Sequence, residues 1–161
     1  MLVGHLINGE IVNDSKRSQD IFNPSTGAVS KQVCMASSET VLSAIAAAQK
    51  AFPAWRNTPA IKRARVMFKF KDLLEKNVDK ICALIGEEHG KISHDAAGEL
   101  QRGIENVEYA CCAPELLKGE HSKNVAPGID SWSEMQPLGV VAGITPSISQ
   151  QWSHFGCIRW R

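Results

Sequence analysis

The run Leu138-Gly-Val-Val-Ala-Gly-Ile144, set between Pro137 and Pro146, constrains the fold more than any other stretch of the chain. It is too short and too rich in glycine for a helix. It is partly β-branched and apolar without alternation, which is the pattern of a strand buried on both faces. Strands of that kind belong to parallel sheets, where the next strand is reached through a crossover of a dozen or more residues, usually a helix. Only Ser147 to Arg161 follow Pro146, and they show no such unit. The expectation is therefore an α/β protein whose sheet is begun and left incomplete.

The residues before that run have their own punctuation. Asn8-Gly9, between the short apolar runs Leu6-Ile7 and Ile11-Val12, predicts a tight hairpin, because both turn positions require a positive φ. Asn23-Pro24-Ser25-Thr26-Gly27 is a second turn cluster, with a short strand expected over Val29 to Met35. Ser38 is expected to cap a helix with Val41, Leu42, Ile45, Ala48 and Phe52 inward, ending at Pro53. Thr58-Pro59 predicts the next helix, proline costing nothing at its first position, with Ile61, Ala64, Met67, Phe68 and Leu74 inward. Asn77 is expected to cap a shorter helix burying Val78, Ile81 and Leu84 or Ile85, with Gly90 as a left-handed cap. Ser93 opens a long helix with Ala97, Leu100, Ile104, Val107 and Cys111 on one stripe, ending near Pro114. Ser131 to Gln136 alternate in part, and a strand is expected there too.

Composition narrows the function classes. With 161 residues, 43% of them apolar, the chain can build one globular domain, and a net charge of +1 gives no reason to expect a nucleic-acid partner. The Lys62-Arg63-Ala64-Arg65 cluster reads as the solvated side of a helix. Five cysteines, odd in number and without pattern, argue against a disulfide framework, and no charged-then-apolar leader follows Met1. A reducing cytoplasm is the expected setting. No apolar run approaches the roughly 20 residues of a membrane-spanning helix. Adjacent Cys111 and Cys112 project in different directions and lack a second Cys/His pair at zinc spacing, His121 being alone, so core or partly exposed thiols are expected and no metal site is.

Three blocks together resemble a known family. They are Glu99 to Tyr109 (ELQRGIENVEY), Ala113 to Glu120 (APELLKGE) and Gln136 to Pro146 (QPLGVVAGITP). In that order they are similar to the amino-terminal third of the CoA-acylating, methylmalonate-semialdehyde branch of the aldehyde dehydrogenases, over Leu6 to Pro146. The Arg-Gly-Ile-Glu-Asn-Val-Glu string separates this branch from ordinary aldehyde dehydrogenases. The resemblance implies the hairpin, the helices and the start of the parallel dinucleotide-binding sheet of that fold.

Beyond Pro146 the resemblance stops abruptly. The family continues Phe-Asn-Phe-Pro, whereas this chain reads SISQQWSHFGCIRWR. Written with allowed codons and one added T, the first fourteen of those residues translate as FNFPAMVPLWMYPL, which is how the family continues. Residues 1–146 are accordingly read as the amino-terminal portion of an aldehyde dehydrogenase domain. Residues 147–161 are read as an aberrant tail made by a one-base loss, Cys157 included.

The reaction that the resemblance implies oxidises methylmalonate or malonate semialdehyde with NAD and CoA, giving propionyl-CoA or acetyl-CoA and carbon dioxide. A cysteine thiolate attacks the aldehyde, and the resulting thioester passes to CoA. The catalytic cysteine, the general-base glutamate and the dinucleotide loops lie downstream in the family, so no catalytic residue is assigned here and this chain alone is expected to be inactive. The asparagine that the family uses for the oxyanion is replaced by Ile148. Arg102 matches the arginine taken to bind the substrate carboxylate, for which a guanidinium fork is suited. By spacing alone the reading favoured is instead a solvated helix arginine paired with Glu99 or Glu105, and only the resemblance reverses that preference. Thr145 matches a position near the cofactor and Ser147 stands where the family has an aromatic residue; by themselves they are a strand end and a loop. A small-molecule semialdehyde and CoA, with a homo-oligomeric parent, complete the expected partners. The contrasting reading is a non-catalytic module that adds strands to a full-length subunit, since in this family the hairpin and the strands around Ser131 to Met135 help build an oligomerisation region.

Overall fold

Asn8 and Gly9 sit at φ 52° and 83°, the left-handed pair that a two-residue hairpin turn demands. They join two of the twelve elements in a computed structural model that describes residues 1–14 and 17–144. In chain order these are β1 (Leu2–Val3), β2 (His5–Ile7), β3 (Glu10–Val12), β4 (Ser18–Phe22), β5 (Val29–Cys34), α1 (Ser38–Asn57) and α2 (Ala60–Lys76). Then follow α3 (Val78–His89), α4 (Ser93–Cys111), α5 (Ala113–Leu116), β6 (His121–Ala126) and β7 (Ile129–Trp132). The described residues divide into two compact units, one of those within 1–55 and 77–100, the other of those within 56–76 and from 101 onward.

In the first unit β2 and β3 form the expected hairpin, with Leu6 opposite Ile11. A three-stranded sheet of order β1-β5-β4 stands beside it in the sequence, β4 antiparallel to β5 and β1 parallel to it. The turn between β4 and β5 is the Asn23–Gly27 cluster. The N–H of Gly27 donates to the Asn23 carbonyl at 2.8 Å, and Gly27 has φ 72°. Strand β4 was not expected, because Ser18-Gln-Asp-Ile-Phe22 alternates only at its end.

Helix α1 is capped one residue earlier than expected. The Ser37 hydroxyl accepts from the N–H of Thr40 at 3.2 Å, and Asp14 Oδ2 accepts from the Ser37 N–H and the Thr40 hydroxyl at 2.8 and 2.9 Å. Nor does Pro53 stop the helix, which continues to Asn57. The only bond that proline must forfeit is to the Gln49 carbonyl, and both residues are exposed, so water can take its place. The apolar positions expected to face inward are not buried: Val41, Leu42 and Ile45 are all substantially exposed. The described residues supply nothing to cover them.

Helix α3 ends as expected, on Gly90 at φ 77° with its N–H on the Gly86 carbonyl at 3.0 Å. Asn77 precedes it without a side-chain capping bond, and Ile85 rather than Leu84 is the better-covered residue. The first part of α4 buries Ala96, Glu99 and Leu100. Ala97, expected inward, is exposed, because Ala96 is the residue one full turn before Leu100.

The second unit packs α2 through Ala64, Met67 and Leu74, and buries Ile104, Val107, Ala110, Cys111 and Ala113. Ile61 and Phe68, expected inward, are exposed. Arg63 is half-buried, not simply solvated, and burial pushes its guanidinium down from its ordinary value. Pro114 lies within the first turn of α5, immediately after α4 ends. Strands β6 and β7 form an antiparallel ribbon across Pro127-Gly128, with Ala126 opposite Ile129 and Gly128 at φ 75°. The expected strand at Ser131 begins two residues sooner and ends at Trp132.

Leu138 to Ile144 departs most from expectation, since no strand forms there. Leu138 is 70% exposed and Ile144 99%. A strand is held by ladders to its neighbours, and among the described residues none pairs with this run. Apolar β-branched residues alone cannot hold it.

Candidate functional site

Helix α4 is the scaffold of the candidate site. Its buried positions Ala96, Leu100, Ile104, Val107 and Cys111 recur at three- and four-residue spacing, so the opposite side of the helix is turned outward. Arg102, Glu105 and Tyr109 lie on that outer side, and Arg102 is exposed. The Arg102 carbonyl accepts a hydrogen bond from the Asn106 side-chain amide at 2.9 Å. The outward placement is what a guanidinium needs if it is to meet a carboxylate arriving from outside the helix.

Glu99 does not lie on that outer side. It is only 4% exposed, and its Oε2 accepts from Lys91 Nζ at 2.6 Å. A buried carboxylate is tolerated when it is paired and hydrogen-bonded, and Lys91, in the turn before α4, meets that requirement. Sequence reasoning missed this pair. The available signal was phase: a glutamate falling among Ala96, Leu100 and Ile104 on an apolar stripe needs a partner.

In the second unit Lys71 of α2 reaches Glu75 one turn on at 2.7 Å and Glu108 of α4 at 3.4 Å. The hydrogen bond to Glu75 is the main reason its ammonium titrates above its ordinary value. Cys111 is buried, and burial, with Cys112 and Glu108 nearby, pushes its thiol up. That makes it a poorer nucleophile than an ordinary thiol at neutral pH. Cys34, Cys82, Cys111 and Cys112 are free thiols. Burial also raises Cys82.

Two glycines of α4 differ in kind. Gly103 is buried on the packed side, whereas Gly98 is exposed, and a methyl group placed on it would meet nothing within 4 Å among the described residues. A helix-interior glycine costs about 1 kcal/mol relative to alanine.

Thr145 and Ser147, the two expected cofactor-side residues, lie outside the described residues, as does the expected tail 147–161. Among the described residues no group of three His, Cys, Asp or Glu could hold a metal ion, and no helix is long and apolar enough to cross a membrane. The described residues bring no glycine-rich loop to a helix start that could take a dinucleotide.

Comparison with known proteins adds identity to this geometry. The profile of the aldehyde dehydrogenase family matches residues 11–147. A malonate-semialdehyde dehydrogenase of Pseudomonas aeruginosa is 65% identical over 142 residues, which is 88% of this chain and 29% of that protein. The crystal structure of a methylmalonate-semialdehyde dehydrogenase from Oceanimonas doudoroffii superposes with a TM-score of 0.88 at 72% identity, over 90% of this chain and 30% of that one. A Sinorhizobium meliloti protein provisionally given the same name, crystallised with NAD, superposes with a TM-score of 0.93 at 38% identity, over 96% of this chain and 32% of that one. The chain thus spans about 30% of the length of the relatives it matches.

Proposed function

Because the chain belongs to the aldehyde dehydrogenase family, we propose that it is the amino-terminal part of an NAD-dependent, CoA-acylating dehydrogenase of methylmalonate or malonate semialdehyde. The observation that carries this reading is the high identity, across nearly nine-tenths of this chain, to a protein of that name. The α/β fold of the family, shared with the solved relatives, is the frame for it. In the whole enzyme a semialdehyde, CoA and NAD give propionyl-CoA or acetyl-CoA, carbon dioxide and NADH. Arg102, exposed on α4, takes the substrate carboxylate in a two-pronged, charge-assisted contact. Thr145 belongs beside the cofactor, and so does position 147, where this chain has Ser147 and the open frame has phenylalanine. NAD supplies the hydride acceptor; the described residues hold none of the cradle for it, and no step is assigned to them. Free, unpatterned thiols suit a reducing cytoplasm, and a homo-oligomeric parent with no nucleic-acid partner completes the reading.

Residues 147–161 are the product of a one-base loss in this proposal. The family match ends at residue 147, one position beyond Pro146, where the added base restores Phe-Asn-Phe-Pro. Resequencing the gene across the Pro146 codon tests it; a T present in the gene, with the frame open through a catalytic cysteine, is the expected result, and repeated reads without it would exclude a sequencing error. The enzyme expressed from the open frame should form acetyl-CoA from malonate semialdehyde only when both CoA and NAD are supplied. Absence of thioester would defeat the functional reading.

A second reading has one observation in its favour. The β6–β7 ribbon is exposed on both faces, Trp132 at 71%, and its open edges suit strand addition to a full-length subunit. In that case the 161-residue chain copurifies with a full-length homologue; recovery of the chain without a partner speaks against it.

A further inference from the structure

We propose that Asn8 is a self-modification site: one peptide flip in the turn of the β2–β3 hairpin lets the Gly9 nitrogen attack the Asn8 side chain. Both reacting groups lie within two consecutive residues, so the reaction takes nothing from elsewhere in the protein. Among the asparagines of this chain only Asn8 is followed by glycine. Asn57, Asn77, Asn106 and Asn124 precede threonine or valine, whose branched side chains crowd the backbone nitrogen. Asn23 precedes proline, which has no N–H.

The backbone of the turn is already half prepared. Asn8 and Gly9 stand at φ 52° and 83° between the paired residues Ile7 and Glu10, a type I′ turn. The first residue of such a turn has ψ of about +30°, which directs the Gly9 nitrogen away from Asn8 Cγ. Rotating the single peptide unit between the two residues gives the other two-residue hairpin turn, type II′, with its first residue at φ of about +60° and ψ of about −120°. Asn8 keeps its φ through that flip, and the Gly9 nitrogen swings to the side of Asn8 Cβ, within reach of Cγ. Gly9 passes from positive to negative φ, a change open to glycine at no steric cost. Asn124 also has a positive φ, 59°, but Val125 follows it and its side-chain oxygen accepts from the Gly128 N–H at 3.4 Å.

In the reaction the bond from Gly9 N to Asn8 Cγ forms and the bond from Cγ to the amide nitrogen breaks. That nitrogen leaves as ammonia with the Gly9 proton. Water then opens the cyclic imide. Cleavage at Cγ gives aspartate, and cleavage at the Asn8 main-chain carbonyl gives isoaspartate, which puts one extra carbon into the main chain of the turn. Loop length sets the register of a hairpin, so isoaspartate unseats Leu6 from Ile11.

The test ages the full-length enzyme, its frame opened by the added T, in mildly alkaline buffer. Peptide mass spectrometry that separates aspartate from isoaspartate reads each asparagine. Asn8 should convert in the folded enzyme while Asn57, Asn77, Asn106 and Asn124 do not. Its rate should lie about ten- to hundredfold below that of the urea-unfolded chain, because the flipped turn strains Asn8. Sub-denaturing urea, which speeds opening of the hairpin as read by amide exchange in β2 and β3, should leave the rate unchanged. No conversion of Asn8 in the folded enzyme would overturn the inference by showing that the flip is closed to it. A rate that climbs in step with amide exchange would overturn it equally, by making unfolding the route.

Discussion

Expressed by itself, the 161-residue chain should not melt cooperatively. Its described residues leave 28 large apolar side chains substantially exposed, while only Leu100 and Val107 are both large and fully buried. Full burial of such a side chain contributes about 1.5–3 kcal/mol, so leaving one about half exposed forgoes roughly 1 kcal/mol. Over 28 side chains that is on the order of 30 kcal/mol, and still nearly 20 after reduction for a compact unfolded ensemble. A domain's entire net stability is about 5–15 kcal/mol. The deficit exceeds the margin, so the isolated chain should keep much of its helix, lose fixed packing and bind a hydrophobic dye, the behaviour of a molten species. Urea titration of the purified chain, followed in parallel by far-UV and near-UV circular dichroism, checks this. Coincident, sharp transitions from a monomer would refute the reasoning, because two-state unfolding requires a complete core.

Other outcomes concern the full-length enzyme. Leu100→Ala should destabilise by about 3 kcal/mol through loss of a fully buried side chain, read as a lower melting temperature. Lys91→Met should cost about 2–3 kcal/mol, below the usual range for a broken buried pair because the lysine is 24% exposed; the double change Lys91→Met with Glu99→Leu should recover most of it in a double-mutant cycle. Iodoacetamide at pH 8 should label exposed Cys112 well before Cys111, whose buried thiol is pushed up, with mass spectrometry of the peptide giving the order. Gly9→Ala should cost about 1 kcal/mol, since alanine at φ 83° is strained, seen as faster amide exchange in the β2–β3 hairpin.

Local signals were legible where one or two residues decide the backbone. Asn8-Gly9 announced its hairpin, Gly90 its left-handed cap, and the stripe from Leu100 to Cys111 its buried face. What the sequence could not disclose is which apolar face finds a partner. Val41, Leu42 and Ile45 have the same rhythm as the α4 stripe, yet remain exposed. Val140 and Val141 have strand propensity but no ladder to join. Pairing between distant residues was equally hidden, as with Leu2 beside Gln32 in the parallel β1–β5 pair. The Pro127-Gly128 dipeptide that folds β6 against β7 is a recognisable turn signal, but the strands beside it are short and carry polar residues on both faces. Of the site, Arg102 is where its helix was expected; Thr145 and Ser147 lie beyond the described residues.

The β6–β7 ribbon has a consequence for the order of synthesis. In relatives some three times the length of this chain, a ribbon at this position leaves the ribosome well before the residues that come after it. At about 5–20 residues per second, it waits roughly tens of seconds with Val125, Ile129 and Trp132 open to solvent. A translating polysome would then carry many such ribbons close together, all able to pair with one another. Pairing of that kind during synthesis is a route to aggregation that the ribbon's open edges present.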